Sequence, residues 1–130
     1  MTAGAGLRWL LRGRLVSGVV DFDIGNFRLD GTTAVVTGAG AGIGRAIAEL
    51  FAAAGASVMV GDIDPQAATA VVTAIRSGGG SAAGAACDVT EEAHLVALVD
   101  SAVASFGRVD ILVNNAGGGG PKPFDMPMRD

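Results

Sequence analysis

The chain has 130 residues, enough for one small domain or one piece of a larger one; 50% are hydrophobic and 17% charged, which supports a packed core and excludes disorder over most of the length. The net charge is −4, and residues 31–130 carry 5 basic against 10 acidic side chains, which excludes the basic surface a nucleic-acid backbone requires. The longest charge-free stretch, Gly31–Gly44, is 14 residues and glycine-rich, whereas a spanning helix takes roughly 20 apolar residues, so no membrane role is expected.

Residues 1–26 read as a basic N-terminal extension without a fixed fold, either disordered or loosely helical. Arg8, Arg12 and Arg14 interrupt every apolar run in its first part, so the unbroken core of a secretory signal is missing and a cytoplasmic location is expected. A targeting or surface-binding role and a mis-assigned start are the other readings of this segment. Residues 27–130 read as one domain.

Thr33–Thr37 (TAVVT) is a β-branched run suited to a buried parallel strand. A glycine-rich turn follows, then a helix over Arg45–Ala54 with Ile43, Ile47, Leu50 and Phe51 on one face, ended by Gly55. Ser57–Gly61 is the second strand. Asp64-Pro65 supplies a cap and a first-turn proline for a second helix to about Arg76, ahead of Gly78-Gly79-Gly80. Ala82–Ala86 is a weaker third strand. Thr90 is placed to cap a third helix, with Glu91 and Glu92 in its first turn and its end near Phe106-Gly107. Val109–Val113 is the fourth strand.

Alternating strands and helices imply crossover connections and a parallel sheet. The expected fold is α/β, a Rossmann-like doubly wound parallel sheet of order 3-2-1-4, truncated after about four strands. An exposed fourth strand makes the free chain marginally stable or prone to associate.

Cys87 is the only cysteine and His94 the only histidine, which excludes an internal disulfide and a Cys/His metal cage. Cys87 reads as a small buried hydrophobe. His94 reads as a solvated or half-buried helix residue beside Glu91, with no nucleophile to serve.

A strand, a glycine turn and a helix N-terminus together form a phosphate site, because free N–H groups and the helix dipole face an anion and no side chain intervenes. Asp62 ends the second strand, 18 residues after Gly44. A carboxylate there accepts hydrogen bonds from ribose hydroxyls and repels a 2′-phosphate, favouring NAD over NADP. The plain alternatives are a structural loop for the glycines, a strand-end turn for Asp62, a helix-entry residue for Asp88, and backbone satisfaction for Asn114 and Asn115.

The spacing Thr37-Gly38, three residues, Gly42-Ile43-Gly44, together with Asn114-Asn115-Ala116-Gly117, resembles the short-chain dehydrogenase/reductase family over residues 27–130. The resemblance implies that Gly38, Gly42, Ile43 and Gly44 hold the pyrophosphate and adjoining nicotinamide part. It implies that Asp62 holds the adenosine ribose, with Ile63 beside it among the cofactor-binding residues. Asp88 and Val89 would touch the adenine, and Asn115, Ala116 and Gly117 would lie against the cofactor. The string from Gly117 to Met128 is similar to the 7α-hydroxysteroid dehydrogenase branch; Phe124, Met126 and Met128 would cover an apolar substrate, or simply pack on their own domain.

In this family a serine, a tyrosine and a lysine carry the acid–base chemistry of hydride transfer. The sequence has no tyrosine, and its one lysine, Lys122, lies in a Gly/Pro loop. No catalytic residue is therefore assigned. The expectation is the cofactor-binding part of an NAD-dependent dehydrogenase of secondary alcohols, 7α-hydroxysteroids among them. The full-length form would take an alcohol or ketone substrate and form a homo-oligomer. The alternatives are a non-catalytic NAD- or adenosine-binding module and an interaction protein without a ligand.

Overall fold

A computed structural model describes residues 14–16, 21–23 and 27–116. Strands β1 (Arg14–Val16) and β2 (Asp21–Asp23) pair antiparallel. They fall in the segment expected to be loosely helical or disordered, part of which is thus a small strand pair.

The body runs β3 (Thr33–Thr37), α1 (Gly42–Ala53), β4 (Ser57–Asp62), α2 (Pro65–Ser77), β5 (Ser81–Ala86), α3 (Glu92–Phe106) and β6 (Ile111–Val113). The four body strands form one parallel sheet of order β5-β4-β3-β6. This is the 3-2-1-4 order of a doubly wound α/β fold.

Every residue of β3 is buried, because helices cover both faces of the sheet. Alternation divides the core. Val36, Val58 and Val60 pack with Ala48, Val71 and Ile75 on the α1/α2 side. Val35 and Met59 pack with Leu98 and Ala102 on the α3 side. Each fully buried Val, Ile, Leu or Met contributes roughly 1.5–3 kcal/mol relative to exposure.

Helix α1 begins at Gly42, three residues ahead of the expected Arg45, and its inward face differs from the expected one. Gly44 and Ala48 are buried and Ile47 and Phe51 are half-buried, a spacing of i, i+3, i+4, i+7. Ile43 and Leu50 are exposed instead. Two small residues on the buried stripe let the helix lie close to the sheet, which turns the larger Ile43 and Leu50 outward.

Helix α2 starts as the sequence predicts: Asp64 Oδ1 accepts from the N–H of Gln66 at 2.9 Å, with Pro65 in the first turn. Helix α3 departs from expectation. Its N-cap is Glu91, which makes no side-chain capping bond. Thr90 does not cap it, because the Thr90 hydroxyl donates back to Asp88 Oδ1 at 2.7 Å. Gly107 ends α3 at φ 84°, and its N–H donates to Val103 O at 2.8 Å.

Strand β6 begins at Ile111 rather than Val109. Asp110 precedes it as a clasp: its N–H donates to Thr33 O at 2.9 Å, and its Oδ2 accepts from Thr33 N–H at 2.9 Å. Among the described residues β6 is a sheet edge, and Leu112 on it is 53% exposed. No described helix is long and apolar enough to cross a membrane.

Candidate functional site at the C-terminal edge of the sheet

The turn between β3 and α1 is held from three sides. Ala39 N–H donates to Gly61 O on β4 at 3.0 Å. Asn115 Nδ2 donates to Gly38 O at 3.2 Å. The buried hydroxyl of Thr37 donates to Val113 O at 3.3 Å and accepts from the N–H groups of Asn115 and Ala116, each at 3.2 Å. One threonine thus ties the end of β3 to the end of β6 and to the Asn-Asn-Ala turn that follows.

The glycines meet two different demands. Gly38 (φ 62°) and Gly42 (φ 58°) sit in the left-handed region, which other L-residues adopt at a cost. Gly38 and Gly44 are also crowded. A Cβ on Gly38 would stand 2.8 Å from Ala116 Cα, and one on Gly44 would meet Gly38 O and Asn115 Nδ2. A Cβ on Gly42, by contrast, would meet open space.

Helix α1 makes its first bond at Arg45 N–H to Ala41 O, 3.3 Å, and Ala41 makes no capping bond. The N–H groups of Gly42, Ile43 and Gly44 lie ahead of that bond, at the positive end of the helix dipole. Ile43 is 74% exposed at the mouth of this turn.

Asp62 stands beside it at the end of β4. Its Oδ2 accepts from Gly40 N–H at 2.8 Å and its Oδ1 from Asp64 N–H at 2.9 Å. A carboxylate has about four acceptor positions, so lone pairs remain on both oxygens. The neighbouring Ile63 is 71% exposed.

Asp88 follows β5, next along the same edge. Cys87 N–H donates to Asp62 O at 2.8 Å, joining the two strand ends. Asp88 Oδ1 accepts from the hydroxyl of Thr90 at 2.7 Å and from its N–H at 3.0 Å. The Thr90 hydroxyl, then its N–H, hold the Asp88 carboxyl below the usual range, with His94 adding to the effect. Burial pushes the Cys87 thiol up, and the Asp88 charge adds to that. Asp88 N–H itself donates to His94 Nδ1 at 3.1 Å. Val89 is half-buried and packs against the cluster that contains Met59 and Leu98.

The edge therefore brings together Gly38, Gly42, Gly44, Asp62, Asn115 and Ala116, with Ile43 and Ile63 exposed beside them and Asp88 and Val89 after the adjacent strand. Gly117 lies outside the described residues, as does the tail to Met128. Two further participants were given no role at the site from sequence. Gly40 holds Asp62 through its N–H, and His94 holds Asp88; neither link spans a spacing that periodicity reports. No group of three or more His, Cys, Asp or Glu residues placed to hold a metal occurs among the described residues.

The family model for short chain dehydrogenases matches residues 32–128. The chain belongs to this family.

It is 61% identical over 109 residues to the 7α-hydroxysteroid dehydrogenase of Escherichia coli strain K12, covering 84% of this chain and 43% of that protein. It is 47% identical over 98 residues to the D-threitol dehydrogenase of Mycolicibacterium smegmatis, covering 75% of this chain and 36% of that one. Among solved structures, a 7α-hydroxysteroid dehydrogenase complexed with NADH and 7-oxo glycochenodeoxycholic acid aligns with a TM-score of 0.74 and 60% identity, over 82% of this chain and 42% of that one. A short chain dehydrogenase/reductase from Burkholderia phymatum in complex with NAD aligns at 0.69 and 43% identity, over 72% and 33%. The chain spans less than half the length of these relatives.

Proposed function

We propose that these residues form the NAD-binding part of a short chain dehydrogenase that oxidises a secondary alcohol. The observation that carries the reading is Asp62, an acceptor-only carboxylate fixed by two backbone N–H groups beside a glycine turn. The residues present fit the cofactor. The turn offers backbone donors, and its two left-handed glycines keep side chains away from the helix end.

Gly38, Gly42, Ile43 and Gly44 would hold the pyrophosphate and adjoining nicotinamide part. Asp62 would hold the adenosine ribose with Ile63 beside it against the cofactor, Asp88 and Val89 would touch the adenine, and Asn115, Ala116 and Gly117 would lie against the cofactor. NAD, when bound, supplies the hydride acceptor. Asp62 would disfavour NADP by repulsion between its charge and a 2′-phosphate.

For the substrate, the 61% identity to a 7α-hydroxysteroid dehydrogenase favours a hydroxysteroid over a small polyol, since the threitol enzyme stands at 47%. The proton transfer that accompanies hydride transfer in this family needs a tyrosine, and the sequence has none. The 130-residue polypeptide is therefore proposed to bind NAD without turnover.

The test is a titration of NADH fluorescence with the purified chain, alongside an assay of NAD reduction with a 7α-hydroxysteroid. Saturable binding and no reduction are expected. Reduction of NAD, lost on changing Asp62, would overturn the claim that catalysis lies elsewhere.

A further inference from the structure

His94 sits in the first turn of α3, exposed, and is the only histidine in the sequence. Its Nδ1 accepts the backbone N–H of Asp88 at 3.1 Å. An imidazole nitrogen that accepts a hydrogen bond carries a lone pair, so the ring proton is on Nε2. Protonation of Nδ1 removes that lone pair and leaves Asp88 N–H facing another donor. We infer that His94 is a positioning residue for the turn at Asp88 and Val89, and that it makes adenine-nucleotide affinity fall as the imidazole gains its second proton.

The surroundings turn protonation into a change of partner and not only a lost bond. The ionisable groups on the adjoining chain are Asp88 and Cys87 in the β5–α3 connection, and Glu91 and Glu92 at the start of its own helix. Burial keeps the Cys87 thiol neutral, and the Thr90 contacts keep Asp88 ionised. An imidazolium here stands beside the Asp88 carboxylate. It would turn from the Asp88 N–H towards the Asp88 carboxylate, whose Oδ1 already accepts from the Thr90 N–H and hydroxyl. Those bonds set the turn between β5 and α3, with Glu91 N–H to Asp88 O at 3.0 Å completing it.

The inference rests on the reading that Asp88 and Val89 meet the adenine, and its test separates the two. Amide resonances of the 130-residue chain are followed from pH 8 to pH 5.5 without ligand, and affinities for NAD and AMP are measured calorimetrically at both ends. His94→Asn keeps an acceptor oxygen near the Nδ1 position at every pH; His94→Ala removes it. The Asp88 amide is expected to titrate together with the His94 ring. Wild-type affinity is expected to weaken about three- to tenfold at pH 5.5, the effect of losing one hydrogen bond. His94→Asn should hold its pH 8 affinity throughout, and His94→Ala should be weak at both ends.

Matching pH profiles for the wild type and His94→Asn would overturn the inference and leave the cofactor reading standing. An Asp88 amide indifferent to the His94 titration would do the same. If neither NAD nor AMP binds any variant at pH 8, both readings fail together.

Discussion

The N–H of Gly40 donates to Asp62 Oδ2 across 2.8 Å, so the turn after β3 fixes the carboxylate at the end of β4. Asp64 N–H takes the other oxygen at 2.9 Å. Two backbone donors thus hold one carboxylate in place before any ligand arrives. Asp62→Asn supplies one acceptor oxygen where two are used, and sets an NH2 group against a backbone N–H. A loss of about 1 kcal/mol in stability is expected from the unpaired donor, measured by urea denaturation. Unchanged stability would mean that the carboxylate is not held as described.

Thr37 is a second fixed point. Its buried hydroxyl serves Val113 O and the N–H groups of Asn115 and Ala116. Thr37→Val keeps the shape and leaves those groups without their partner, at an expected cost of about 1–3 kcal/mol. Thr37→Ser retains the hydroxyl and should cost less than Val. Equal losses for Val and Ser would place the effect in packing and not in the hydrogen bonds.

Gly31 and Gly38 separate backbone strain from crowding. Both have positive φ, 75° and 62°, but a Cβ at Gly31 would meet nothing within 4 Å while one at Gly38 would meet Ala116 Cα at 2.8 Å. Gly31→Ala should cost about 1 kcal/mol, the left-handed penalty alone. Gly38→Ala should cost distinctly more and loosen the Asn115 turn. Denaturant midpoints of the two variants decide it; equal shifts would contradict the crowding at Gly38.

The pH dependence has a definite sign. The Arg108 side chain, then the Thr33 N–H, hold the Asp110 carboxyl below its usual range, and the Thr90 contacts do the same for Asp88. A carboxyl lowered in the folded state stabilises fully above the ordinary carboxylate pKa near ~4 and loses that contribution as pH falls through the lower folded value. Melting temperature should therefore drop on the acid side, and Asp110→Asn should show a smaller drop between neutral and acid pH than the wild type. An identical acid-side drop in the variant would remove Asp110 from the account.

Much of this was legible in the chain, for identifiable reasons. Thr33–Thr37 reads off directly because a β-branched run lies between turn residues and is buried on both faces. Asp64-Pro65 announces α2 because cap and proline act locally. The errors arose where tertiary contacts take over. Size suggested Ile43 and Leu50 for the inward face of α1, but close packing selects Gly44 and Ala48. Composition suggested Thr90 as a cap, but Asp88 claims its hydroxyl. β-propensity started the last strand at Val109, but Asp110 is spent on Thr33 and Arg108. At the site, the motif marked Gly38, Gly42 and Gly44. The role of Gly40 rests on a contact between separate turns, and that of His94 on a side chain reaching back from α3 to Asp88, neither of which a local pattern encodes.

The central claim is that Asp62 and the glycine turn form a site for NAD and not for NADP. Calorimetric titration of the 130-residue chain with each dinucleotide tests it most directly. The account predicts saturable NAD binding in the micromolar range, NADP weaker by about tenfold or more, and a narrowed gap in Asp62→Ala. Absence of heat with NAD, or equal affinity for the two in the wild type, would contradict it.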